Sequence, residues 1–154
     1  MTNPLYRDMA NTDFMTELKN RNSYETDRQN LDAKKKWNGL TVAVIDVNNL
    51  KLVNDRLGHA VGDDCIVNAA RVLQSVESQK VTAYRYGGDE FILLLENYPE
   101  PEKLLVRVKK ICKYGINRKC LLLWQQVMHS LTKIWIRRLQ IHRDVQMSRC
   151  IRIR

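Results

Sequence analysis

Long apolar runs are absent from this 154-residue chain. No stretch approaches the roughly 20 residues that a membrane-spanning helix needs. The opening MTNPLYRDMANTD lacks the apolar core of a secretory leader, so a cytoplasmic location is expected. Cysteines at metal or redox spacing are also missing. Cys65, Cys112, Cys120 and Cys150 are scattered with no CxxC pair, which indicates neither zinc nor a disulfide framework and leaves buried or idle thiols. Glycine and proline are sparse, at six and three residues, and no internal repeat or low-complexity linker is visible. The sharpest shortage is local. From Lys113 to Arg154 there is a single acid, Asp144, against ten of the chain's 26 Lys+Arg. The first 112 residues hold sixteen bases and sixteen acids, so the tail carries the whole formal charge of +9. A charge average over both parts describes neither, and the break suggests two segments of different origin.

What is present suits one ordinary domain. Hydrophobic residues make up 44% of the chain, enough to bury a core and too many for a disordered chain. Residues 1–12 read as the end of an incoming helix, and DFMTELKNRNSY (Asp13 to Tyr24) as a turn leading into a helix that runs to about Lys36. Leu40 to Asp46, LTVAVID, is a β-branched apolar run closing on a carboxylate, the pattern of a buried strand. A short helix is expected over Asn49 to Arg56, then a turn between Gly58 and Gly62. Asp63 is a candidate N-cap for a helix to about Val76, with Cys65, Ile66, Ala69, Ala70, Val72 and Leu73 inward. Val81 to Tyr86 and Glu90 to Glu96 read as strands joined by a Gly87-Gly88 hairpin turn. Pro99-Glu100-Pro101 opens a helix carrying Leu104, Leu105, Val108, Ile111 and Cys112 at helical spacing.

The acids in this pattern carry chemistry. One strand ends in Asp46, and a hairpin turn sets Asp89 and Glu90 beside two glycines. Carboxylates at adjacent strand ends can share a hard divalent cation, and Mg²⁺ held that way usually also takes substrate phosphates. Gly87 and Gly88 present no side chains, so a bulky anion can approach their backbone. Together these are the parts needed for phosphoryl or nucleotidyl transfer. Alone, Gly-Gly-Asp-Glu would read as a turn and nothing more.

The flanking residues change that. YRYGGDEFILLL (Tyr84 to Leu95) is similar to the signature hairpin of the GGDEF family, the catalytic domain of diguanylate cyclases. DVNNLKLVNDRLGHAVGDD (Asp46 to Asp64) resembles the family's DxDxFKxxNDxxGHxxGD segment, and DFMTELKNR (Asp13 to Arg21) its DxLTGLxNR opening turn. Three motifs in order cover roughly Asp13 to Ile111.

The resemblance implies an α/β fold like the nucleotidyl-cyclase palm, a central, mostly antiparallel sheet flanked by helices, incomplete at its C-terminal part. It implies condensation of two GTP into cyclic di-GMP and pyrophosphate, with Mg²⁺ (or Mn²⁺), in a homodimer whose two sites face each other. Asp46, the Val47 carbonyl, Asp89 and Glu90 match the metal positions, and Glu90 also the acid that assists deprotonation of the attacking hydroxyl. Asn54 and Asp63 match the guanine-reading pair, and Gly87 and Gly88 lie under the phosphates. Lys51 and Arg85 are set by motif to help with phosphate or transition-state charge. Asn48 and Leu50 depart from the Asp and Phe common in the family. The RxxD inhibitory motif, which would fall at Ser78 and Val81, is absent, so no such feedback site is expected. His59 is read as a structural residue of its turn, and His129 and His142 as no metal site.

The larger departure follows Lys113. A family strand with an A-x-G-A-like segment and a helix ending near AD-x-x-MY-x-x-K, which brings basic groups to the phosphates, are both missing. Reading the third base of each codon with the first two of the next, Trp124-Gln125 requires Ala and Met128-His129 requires Ala. Gln125 to Ser130 permit Thr-Gly-Tyr-Ala-Leu, and Val145 to Ile151 permit Ala-Asp-Val-Lys-Met-Tyr in the same frame. The expected organisation is an incoming helix or linker over 1–12, a GGDEF domain over 13–113 and a basic tail over 114–154 that is out of frame. A genuine divergent tail is the alternative. Two rival functions follow: an inactive GGDEF fragment that at most binds GTP, and a basic protein binding nucleic acid through Trp124, Trp135 and the clustered arginines. With the tail out of frame, no nucleic-acid partner is expected.

Overall fold

The computed structural model describes residues 10–36, 38–47 and 50–114 together with the backbone of strands 132–138 and 150–152. After the last residues of an incoming helix at Ala10 and Asn11, the chain makes a turn and a short strand β1 (Lys19–Asn20). Helix α1 (Arg21–Ala33) starts where the Asn20 side chain accepts from the Ser23 amide, an N-cap in the usual sense. Strand β2 (Leu40–Val47) leads to α2 (Leu50–Leu57) and α3 (His59–Gln74). Strands β3 (Val81–Arg85) and β4 (Glu90–Glu96) form the expected hairpin, followed by α4 (Pro101–Tyr114), β5 (Thr132–Arg138) and β6 (Cys150–Arg152).

The strands form one sheet in the order β1-β3-β4-β2-β5-β6, antiparallel except for β1 beside β3. Its two faces follow from the alternation of side chains along each strand. Ala43, Ile45, Val47, Val81, Ala83, Phe91, Leu93 and Leu95 form one face. They pack in a single cluster with Ile66, Ala69, Ala70, Val72 and Leu73 of α3 and Leu104, Leu105, Val108 and Cys112 of α4. Leu40, Val42, Tyr84, Ile92 and Leu94 form the other, under Leu31 and Tyr24 of α1. With helices on both faces, Phe91–Leu95 of β4 and all of β2 but the partly exposed Val44 and Asp46 are buried, which is why the strands read as apolar runs.

One expectation is corrected, and one feature of the sheet was not expected. Asp63 is not an N-cap: α3 begins a turn earlier, at His59, because Gly58 takes φ 86°, a left-handed conformation that breaks α2 from α3 at that residue. The unexpected feature is a strand beside β2. The backbone of Thr132–Arg138 runs antiparallel along β2, from Val47↔Thr132 to Thr41↔Arg138. TKIWIRR is rich in β-branched and aromatic residues, and an unpaired β2 edge offers it a ready ladder of N–H and C=O groups. Asn48, Trp124, His129 and His142 lie outside the described residues. Among the described residues no helix is long and apolar enough to cross a membrane.

Candidate active site

The sheet brings the signature acids to one end. Asp46 stands opposite Glu90 in the β2–β4 register, and the Val47 amide donates to the Asp89 carbonyl at 2.9 Å. Directly opposed residues of an antiparallel pair share a face, so Asp46 and Glu90 both belong to the face under α1, at its outer end. Val47 is buried in the opposite face. The turn between the strands is tight: the Tyr86 and Gly87 amides both donate to the Glu90 carbonyl, at 2.9 and 3.1 Å. A Cβ on Gly87 would lie 3.1 Å from Glu90 Oε2, so this carboxylate leans over the glycine. A Cβ on Gly88 would meet nothing within 4 Å, and that space faces outward from the turn.

Among the described residues, no group of three or more His, Cys, Asp and Glu side chains is gathered closely enough to hold a metal ion. The chemistry of the donor set is that of a hard divalent cation. It consists of hard oxygens on paired strand ends, and a cation such as Mg²⁺ takes few protein ligands beside water and substrate phosphate.

Arg85 is tied into the protein. Its Nε donates to the Gly87 carbonyl at 3.3 Å and one terminal nitrogen to the Gly88 carbonyl at 2.9 Å. The other reaches an Asp13 carboxylate oxygen at 2.9 Å and the Met15 sulfur at 3.4 Å. The guanidinium thus bridges the opening turn and the Gly-Gly turn. Asp13 also accepts from the Thr16 amide and hydroxyl, at 3.0 and 2.7 Å. Burial opposes its charge, but these hydrogen bonds and the Arg85 charge outweigh it and hold the carboxyl below its ordinary 3.8. Sequence reading quoted Asp13 within a motif without giving it a partner, since an ion pair across 72 positions leaves no local signal.

The residues expected to read the base lie on α2 and α3, which follow β2 directly. Lys51 and Asn54 are one turn apart on α2, Lys51 exposed and Asn54 partly so. Asn54 packs against Gly62 of α3, and Asp63 is the exposed next residue. Among the described residues the buried Asn54 Oδ1 has no hydrogen-bond partner. An acceptor left so costs about 1–3 kcal/mol. Beside the hairpin, Arg21 stacks 4.6 Å from the centre of the Tyr86 ring, whose hydroxyl donates to Glu25 at 3.3 Å. Sequence reading missed this contact.

Residues 10–118 match the family model described as diguanylate cyclase, GGDEF domain. The chain belongs to the GGDEF family. The GGDEF domain is 41% identical over 91 residues to a diguanylate cyclase of Vibrio cholerae, covering 58% of this chain and 28% of that protein. It is 36% identical over 96 residues to diguanylate cyclase A of Treponema denticola, covering 58% of this chain and 26% of that protein. The chain therefore spans about a quarter of the length of these curated relatives. Among solved structures, the coiled coil and GGDEF domain of DgcB from Caulobacter crescentus, in complex with c-di-GMP, superposes with a TM-score of 0.72. That likeness is at 23% identity and covers 86% of this chain and 71% of that one, which shows a shared fold.

Proposed function

We propose that this GGDEF domain binds GTP with Mg²⁺ (or Mn²⁺) at the Asp46–Asp89–Glu90 end of the sheet. In a two-fold pair of such domains, it would condense two GTP into cyclic di-GMP and pyrophosphate. The observation that carries this reading is the β2–β4 register, with Asp46 opposite Glu90 and the Val47 amide bonded to the Asp89 carbonyl. Asp46, Asp89, Glu90 and the Val47 carbonyl are the groups that would hold the ion, which supplies a positive charge to phosphate oxygens. The outward space at Gly88 suits a phosphate brought close to the backbone. Glu90 is the group to accept the proton of the attacking 3′-hydroxyl. An O3′–Pα bond forms, the Pα–O–Pβ bond breaks, and pyrophosphate leaves with the electron pair. Lys51 offers a cation to the phosphates. Arg85, with its donors committed to Asp13, Gly87 and Gly88, acts by shaping the turn.

Guanine is assigned to Asn54 and Asp63. The Asn54 amide and the Asp63 carboxylate together offer a donor and acceptors, and guanine presents N–H donors that adenine does not present in the same place. One site holds half the reaction, so turnover needs a second copy of the domain.

A second reading is a GTP-binding domain with little turnover. The end of the family match at Arg118 favours it, because the phosphate-binding bases of the missing helix lie beyond that point. We attribute the tail to an out-of-frame reading of residues 114–154. The test is to incubate the chain, and a version with the frame restored from about codon 114, with GTP and Mg²⁺ and to quantify cyclic di-GMP by chromatography. The restored chain should make product, the chain as written little or none, and Glu90→Gln in the restored chain should abolish it. No product from the restored chain would refute the cyclase assignment.

A further inference from the structure

We propose that Gly62 is a positioning residue for base selection: it is a glycine because the Asn54 amide occupies the space of its missing side chain. Nothing about the local backbone calls for glycine here. Gly62 lies inside α3, and the positive-φ glycines of the described chain are Gly39 and Gly58. In a helix interior alanine is the favoured residue and glycine among the poorest. The side chain is excluded by one neighbour. A Cβ on Gly62 would fall 1.8 Å from Asn54 Oδ1, 2.9 Å from its Cγ and 3.4 Å from its Nδ2, and these amide atoms are the three nearest. The flat amide is wedged against the bare helix, and the same contact buries its Oδ1 without a donor.

The two helices are joined just beside this wedge, where the Gly58 amide donates to the Asn54 carbonyl at 2.9 Å. The Asn54 backbone is therefore fixed, and only its side chain can yield. A methyl at position 62 turns that amide out of its seat without opening the core, because the displaced atoms are the end of a flexible side chain. The helix-forming gain of alanine then offsets part of the strain. The predicted variant folds and loses the seated amide with which Asn54 would meet guanine. This inference rests on the reading that Asn54 contacts guanine.

A double-mutant cycle tests it. The 154-residue chain, Asn54→Ala, Gly62→Ala and the double variant are titrated calorimetrically with GTP and with ATP in Mg²⁺, and each is melted by circular dichroism. Each single change should lower GTP affinity about tenfold, the scale of one hydrogen bond, and leave ATP affinity unchanged. The double variant should lose no more than either single, because both remove the same amide from the same place. Wild-type GTP affinity in Gly62→Ala, or losses that multiply in the double variant, would overturn the assignment. Silence of Asn54→Ala would instead overturn the guanine reading, and this inference with it. Should Gly62→Ala fail to fold, the double variant decides. Folding regained when the amide is removed supports the wedge, and folding not regained overturns it.

Discussion

Single residues in this domain do their work through partners distant in sequence. Arg85 sits beside the signature, and its charge alone invites a phosphate role, yet its donors run to Asp13, Met15 and the carbonyls of Gly87 and Gly88. Asp13→Asn keeps the shape and removes the charge. It should cost about 1–3 kcal/mol in urea unfolding at neutral pH, as expected for a part-buried, charge-assisted hydrogen bond. Because the folded carboxyl is held below its ordinary 3.8, its contribution is present above about that pH and is lost as the pH falls through the lowered value. The gap between wild type and Asp13→Asn should therefore close on acidification, and a gap that widens below pH 4 would contradict the pairing. Burial pushes the Cys112 thiol up to about 11, and Cys65 of α3 is buried as well. Neither should react with a thiol reagent at pH 7 until the domain unfolds, as mass mapping of labelled peptides would report. The strand-end acid Asp46 and the turn acids were legible in the sequence because strand ends and glycine turns are local features. The partner of Arg85 and the seat of Asn54 were not, because both depend on how separate elements meet.

At the scale of elements, the β2–β4 pair is the frame of the site. Its buried side chains on both faces fix the register, since a slip by one residue would send each to the wrong side. Leu93, at the middle of β4 and fully buried between α3 and α4, anchors that register. Leu93→Ala should cost about 2–5 kcal/mol, measured by chemical denaturation. The turn between β3 and β4 behaves oppositely. Gly88→Ala adds a methyl to open space, so thermal stability should stay near wild type while GTP affinity falls, the new group lying where a phosphate would approach. Unchanged GTP binding in that variant would remove the turn from the site. Apart from the two-residue strand β1, which the sequence reading did not expect, the strands and helices through α4 were readable from hydrophobic periodicity. The boundary between α2 and α3 was misjudged because GHAVGD looks like a loop, and only the left-handed Gly58 shows that the break is a single residue wide. Strand β5 went unread because the tail was compared with the family motif and not with the open edge it could pair with. In the observed register Lys133 stands opposite Asp46.

At the scale of the whole molecule, a neutral domain is joined to a strongly basic tail, and the family match covers residues 10–118. The α/β character and both helix-covered faces of the sheet followed from the front of the chain, whereas the edge completed by β5 did not. If the tail is out of frame, its bases are not arranged for phosphates, and nucleotide binding should survive where turnover does not. Binding is therefore the direct test of the central claim, that the Asp46–Asp89–Glu90 end of this sheet is a metal–GTP site. The measurement is calorimetric titration of the 154-residue chain with GTP and with ATP, in Mg²⁺ and in chelator. The predicted result is GTP binding at least about tenfold tighter than ATP binding, dependent on Mg²⁺ and lost in Asp46→Asn with the fold intact by circular dichroism. GTP affinity equal to that of ATP, or unchanged by chelator and by Asp46→Asn, would contradict it.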